Sequence, residues 1–127
     1  MSYIQPSLFG DGARIWPFGA LLPQSYDFIM ADPPWLYETW SELGDEKGPA
    51  PHYDMMPDEE ILGLPVGDLA RENAVIWLWA TWPKLDTAMA ALRRWGFVYK
   101  TGGAWDKQRW GTGYIWRSQC EPVLIGT

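Results

Sequence analysis

Phe28-Ile29-Met30-Ala31-Asp32-Pro33-Pro34-Trp35 is the stretch on which the reading of this 127-residue chain turns. The apolar run from Tyr26 to Ala31 predicts a buried strand, and the residues after it bring a carboxylate, two prolines and an indole to its C-terminal end. In open α/β sheets ligands are held at that end. The proline rings fix φ and remove two backbone donors, so the local carbonyls are presented as acceptors. Pro34 also pushes Pro33 toward an extended conformation, which stiffens the turn. Asp32 is an acceptor when ionised, and Trp35 offers a stacking face. A turn of this make-up suits the exocyclic amine of a flat base, pinned between a carboxylate and a backbone carbonyl. The bland alternative is a Pro-Pro pair that ends a strand above a core Trp. An Asp directly before Pro-Pro-Trp and directly after an apolar run favours the functional reading.

Length and composition bound the rest. A chain of 127 residues fits one domain, and 47% hydrophobic residues suffice for a core. No apolar run approaches the roughly 20 residues of a membrane helix, and residues 1–11 carry no signal-peptide pattern. With one cysteine, Cys120, and one histidine, His52, neither an internal disulfide nor a zinc cluster is expected, and the expected setting is a reducing cytoplasm. His52, beside Tyr53, reads as a loop residue. The net charge of −6 argues against binding nucleic acid by bulk electrostatics, but it is unevenly spread. Residues 38–72 carry ten acidic and two basic side chains, residues 84–117 seven basic and two acidic ones. A polyanion would therefore be accepted on one side and repelled from the other, although solvated charged helices produce the same asymmetry.

Along the chain, residues 1–24 form an irregular segment punctuated by Gly10, Gly12, Pro17, Gly19 and Pro23. Phe9-Gly10-Asp11-Gly12 follows no strand and opens no helix, so it is not a phosphate cradle. The polar stretch from Trp35 to Asp54 is long enough to fold over a ligand. Met56-Pro57-Asp58-Glu59-Glu60 reads as a helix start whose acids answer the helix dipole rather than serve catalysis. Ala74 to Ala80 predicts a central strand covered on both faces. Pro83 opens a helix that buries Leu85, Met89, Leu92 and Trp95 and closes at Gly96. Phe97–Thr101 and Pro122–Ile125 predict strands around a loop, Trp105–Arg117, rich in rings and cations. Trp77, Trp79 and Trp95 read as core, and Asn73 and Thr81 as strand-end and helix-entry residues. Strand, helix, strand, helix, strand is the rhythm of a parallel α/β sheet.

Taken in order, these segments resemble the N6-adenine methyltransferase family that includes the catalytic subunit of the mRNA adenosine methyltransferase and its bacterial and phage relatives. The resemblance rests on Ala31–Trp35, Tyr53–Glu60, Trp77–Thr81, Trp95-Gly96-Phe97, Trp105-Asp106-Lys107, Gly111–Tyr114 and Glu121–Gly126, and covers nearly the whole chain from Tyr26. It implies a Rossmann-like, S-adenosylmethionine-dependent α/β fold with the catalytic motif ahead of the main cofactor motif. The family's Lys-Pro-Asp segment, Glu-Leu-Phe-Ala/Gly-Arg-like strand and ribose-holding asparagine do not occur. The expectation is a single partial domain over residues 1–127, the front half of such an enzyme with an incomplete sheet.

The resemblance assigns Asp32, Pro33, Pro34 and Trp35 to catalysis, with Asp32 also touching the methionine amino group of the cofactor. Trp35 is expected to stack on the acceptor base. Tyr53 matches a family position near that base, with simple packing as the equal alternative. Lys107, Arg109, Tyr114, Trp116 and Arg117 interleave cations with rings, as grooves for unpaired nucleic acid do; a solvated loop is the alternative. The expected reaction is methylation of adenine N6, in DNA rather than RNA, by a cytoplasmic enzyme, alone or as a homo- or heterodimer. Two alternatives stay open: a non-catalytic nucleic-acid-binding or partner subunit, and methylation of another conjugated amine such as cytosine N4 or a glutamine amide.

Overall fold

Strands β1 (Tyr26–Ala31) and β2 (Ala70–Trp79) lie side by side and parallel, with Ile29 opposite Ile76 and Ala31 opposite Leu78. They belong to a computed structural model that describes residues 15–37, 55–111 and 117–127. Between them in sequence comes a short helix, α1 (Asp58–Leu62), and after β2 comes helix α2 (Leu85–Arg94). Strands β3 (Tyr99–Asp106) and β4 (Cys120–Gly126) complete a four-stranded sheet of order β1-β2-β4-β3.

The sheet is mixed, which corrects the parallel arrangement expected from the element rhythm. β4 runs antiparallel to both of its neighbours, β2 and β3, so β3 points the same way as β2 but is separated from it. The cause is the β3–β4 connection. Lys107 N–H bonds the Gln119 carbonyl at 2.8 Å and Gly111 N–H the Ser118 carbonyl at 2.8 Å, so the two arms are zipped together beyond the strands. A zipped connection returns the chain beside itself and leaves no crossover for a parallel strand. β3 also starts later and runs further than expected, so Trp105 lies within a strand rather than in a loop.

All the described helices pack on one face of this sheet. Ile29, Ile76, Leu78 and Leu124 meet Ile61 of α1, Val66 and Leu69 of a 3₁₀ turn, and Ala88, Ala91 and Leu92 of α2. Trp95 closes the end of this layer, its Nε1 donating to the Ile61 carbonyl at 3.2 Å. Side chains alternate along a strand, so the opposite face carries Phe28, Met30, Trp77, Trp79 and Trp105. Phe28, Met30 and Trp105 are about half exposed, at 50%, 58% and 55%. β2 is therefore central in the sheet but covered on one side among the described residues, and Trp77 and Trp79 are half-buried rather than core. Their rings pair edge-on with Phe28 and Trp105, at centroid distances of 5.8 and 6.1 Å.

Helix α2 follows its sequence signals closely. Pro83 sits in a 3₁₀ turn, Trp82–Lys84, that leads into the helix proper. At the other end, Phe97 N–H reaches the Leu92 carbonyl and Gly96 N–H the Arg93 carbonyl, a Schellman closure with Gly96 at φ +92°. The acids of α1 have the structural role expected of them: Asp58 holds Lys84 Nζ at 3.2 Å, tying α1 to the start of α2. Trp16 and Phe18, in the irregular N-terminal stretch, pack edge-on to each other against the core.

Gly67 lies directly against the Trp95 backbone carbonyl, and any Cβ there would collide with it. The Gly67→Ala variant is accordingly expected to lose about 1–3 kcal/mol of stability, measured by urea denaturation.

Candidate active site

The corner after β1 is fixed by three hydrogen bonds. Trp35 N–H donates to the Pro33 carbonyl at 2.9 Å, a γ-turn around Pro34, whose ring supplies the φ such a turn needs. Met56 N–H donates to the Pro34 carbonyl at 2.9 Å, aligning Trp35 and Met56 as a short parallel bridge. The indole Nε1 of Trp35 donates to the Trp79 carbonyl at 3.2 Å, fastening the corner to the end of β2. The two carbonyls expected to face a ligand are thus each engaged once, and each keeps a second lone pair.

This arrangement revises the role of Trp35. Its side chain is buried, with 4% exposure, and belongs to the hydrophobic core. It braces the corner from beneath instead of presenting an open face for stacking. Asp32, by contrast, remains exposed at the C-terminal end of β1.

Glu121, on β4, comes close enough to Asp32 to affect it. Partial burial, and then the negative charge of Glu121, raise the Asp32 carboxyl above its ordinary value. Glu121 is itself held by Lys107, Nζ to Oε1 at 2.9 Å, with both side chains largely covered. Its other oxygen, Oε2, is buried without a protein partner, as is the hydroxyl of Thr81 just past β2. The end of the sheet therefore gathers two carboxylates, one lysine and an unpaired hydroxyl. Two carboxylates against one lysine leave it net negative, and a cationic ligand would balance that charge.

Glu121 heads the Glu121–Gly126 segment of the resemblance, but a lone Glu before a Pro carries no spacing that marks it as a site residue. The inserted antiparallel strand brings it to the same end of the sheet as Asp32, with β2 between them, and strand order is not written locally. Lys107 was singled out as a cation for nucleic acid, and it is instead spent on Glu121. Arg117 Nε bonds the Gly111 carbonyl at 3.0 Å, clipping the hairpin stem, while Arg109 is exposed on the same stem. Tyr53, Tyr114 and Trp116 lie outside the described residues, as does most of the Trp35–Asp54 stretch expected to fold over a ligand. Two clefts, of about 530 and 440 Å³, open elsewhere: the larger at the other end of the sheet, among Gln24, Arg71, Gly96 and Thr127, the smaller beside Arg94 and Trp95. Asp32 lines neither, and stands on an open ledge. Among the described residues no group of His, Cys, Asp or Glu could hold a metal ion, and no helix is long and apolar enough to cross a membrane.

A parallel strand ending in an acidic Pro-Pro corner, with a second carboxylate on an inserted antiparallel neighbour, defines an α/β site of the kind found at sheet ends. The MT-A70 family model matches residues 26–116, which take in β1 through β3 and the corner. The chain belongs to the MT-A70 family, a family of N6-adenine methyltransferases. It is also 26% identical, over 132 aligned residues, to the type II methyltransferase M.MunI of a Mycoplasma species. That alignment covers 88% of this chain and 57% of the relative, so the chain spans a little over half of the relative's length.

Two outcomes test these electrostatics. A raised folded-state pKa means that the fold favours the protonated Asp32, so the ionised form costs stability once pH exceeds that pKa. Asp32→Asn is expected to raise Tm near neutral pH by about 1–2 °C, solvent screening keeping the effect small. The gain disappears as pH falls below the ordinary carboxylate value, which thermal melts across pH 3–8 would follow. Lys107→Met leaves Glu121 uncompensated and is expected to move the Asp32 titration further upward, read from the side-chain carboxyl chemical shift.

Proposed function

We propose that this chain carries the acceptor-base side of an S-adenosylmethionine-dependent enzyme that methylates N6 of adenine in DNA. The observation that carries the reading is Asp32, exposed at the end of a parallel strand and fixed there by the γ-turn and the Trp35 brace. Membership of the MT-A70 family supports the reaction class, and the type II methyltransferase among its relatives supports DNA over RNA. Since the chain spans 57% of that relative, the activity of a whole enzyme is part of the proposal.

Adenine N6 is a weak nucleophile because its lone pair is delocalised into the ring. The Asp32 carboxylate would accept an N6–H bond, and the second lone pair of the Pro33 or Pro34 carbonyl would accept the other. Two acceptors favour a more pyramidal, more nucleophilic nitrogen. As positive charge grows on N6, the fixed carboxylate stabilises it without having to reorganise. In duplex DNA the adenine must leave the stack to reach this ledge.

The net negative charge of the site fits S-adenosylmethionine, which carries an ammonium and a sulfonium. When bound it supplies an electrophilic methyl group. Asp32 is the residue that would hold its ammonium, and the repulsion between Asp32 and Glu121 is what such a cation would relieve. Glu121 with Lys107 sets the charge beside the reacting nitrogen rather than exchanging protons with it.

The test is incubation of the chain with labelled S-adenosylmethionine and adenine-containing DNA, followed by nucleoside analysis. Labelled 6-methyladenine is expected, with Asp32→Ala lowering the rate about 10²–10³-fold. Label in 4-methylcytosine would turn the reading to another amine. Oligonucleotide binding with no affinity for the cofactor would make the chain a non-catalytic subunit.

A further inference from the structure

Trp82 is the residue whose placement the corner does not explain. It stands three residues beyond β2, in the 3₁₀ turn before α2, is 46% exposed and takes no part in the hydrophobic core. Yet its indole is held firmly. Nε1 donates to the Cys120 carbonyl at 2.8 Å and to Ser118 Oγ at 3.0 Å. Ser118 Oγ in turn accepts from Cys120 N–H at 3.1 Å, so the acceptor is fixed as well. A ring pinned at its polar edge keeps its apolar surface available and has little rotamer freedom left to lose on binding. Large aromatic side chains held in this way are suited to stacking.

Its position is as informative as its restraint. Cys120, which accepts from Trp82, is the residue immediately before Glu121, whose charge Asp32 feels. Asp32 follows β1, and Trp82 is anchored to β4, two strands away in the order β1-β2-β4-β3. Strand spacing makes that separation roughly 10 Å across the sheet, and the three-residue offset of Cys120 from Val123, which is level with Asp32, brings it to about 14 Å, against about 3.4 Å per stacked nucleotide. The hairpin stem adds Arg109 and the 61% exposed ring of Trp110, whose neighbour Gly111 bonds the Ser118 carbonyl. An indole with a cation and a second ring nearby is a combination that binds unpaired strands.

We propose that Trp82 is a stacking platform for a nucleobase flanking the target adenine, within about four nucleotides of it, and so a positioning residue for the strand. The proposal rests on the nucleic-acid reading above and adds to it a defined contact. Protein partners would use the same exposed ring without regard to base position, which the test separates.

Binding is measured by fluorescence anisotropy with single-stranded oligonucleotides that hold one adenine among thymines. A companion series carries an abasic site at each of about four positions on either side of the adenine. Trp82→Ala is expected to weaken binding to the intact strand about 10-fold. Trp82→Phe, which keeps a ring but loses both hydrogen bonds, should fall between wild type and Trp82→Ala. At one abasic position the wild-type and Trp82→Ala affinities should coincide, because the stacked base is gone. An equal loss at every position, a Trp82→Phe as damaging as Trp82→Ala, or no loss at all would overturn the platform. Trp82→Leu replaces alanine if the smaller side chain unfolds the chain. Formation of 6-methyladenine without this base-specific coupling would remove the platform alone. Coupling without methylation would leave the platform standing and remove the catalytic reading.

Discussion

The hydrogen bond from the Trp35 indole to the Trp79 carbonyl holds the functional end of this molecule together. A Pro-Pro turn is stiff within itself, but stiffness does not say where the turn points. The buried indole supplies that direction by joining the corner after β1 to the last residue of β2. The bond can be made only because β1 and β2 are in register, with Ala31 opposite Leu78, one residue before each participant's segment. A one-residue slip would turn Ile29 out of the core and carry the acid to the wrong face. Core packing and ligand geometry are therefore set by the same alignment.

The second constraint is the strand inserted between β2 and β3. Because β4 runs backwards, its first residues, not its last, lie at the ligand end, and this brings Glu121 and its Lys107 partner there. An all-parallel sheet would present the start of each connection at that end and nothing of the hairpin. The mixed topology thus enlarges what the end of the sheet can offer, from one acidic corner to an acidic pair, a half-buried lysine and an aromatic stem.

What was legible in the sequence is what local physics dictates. The strand before Asp32, the Schellman end at Gly96 and the dipole role of the acids near Pro57 are each written within a few residues. What was not legible needed long-range pairing. Trp35 looked like an open ring because burial depends on Trp79, 44 residues away. Lys107 looked like a cation for a polyanion because its partner lies 14 residues on, across the hairpin. The aromatics of β2 looked like core because an apolar run cannot tell which of its two faces will be covered. Trp82 carries no signal of its own and Glu121 only its place in the Glu121–Gly126 segment, since each draws its role from strand order.

The topology also orders assembly. β3 and β4 meet through a short, zipped return, and α2 spans β2 and β3 directly, so these parts close small loops. β1 must find β2 across an intervening stretch that separates Phe28 from Val75 by 47 positions. Chain-closure entropy rises with that separation, and pairings of long range form late. Trp77 and Ile125 stand as far apart, 48 positions, so the β3–β4 hairpin closes first, and both pairings of β2, including the one that places the reactive carboxylate, wait on long loops.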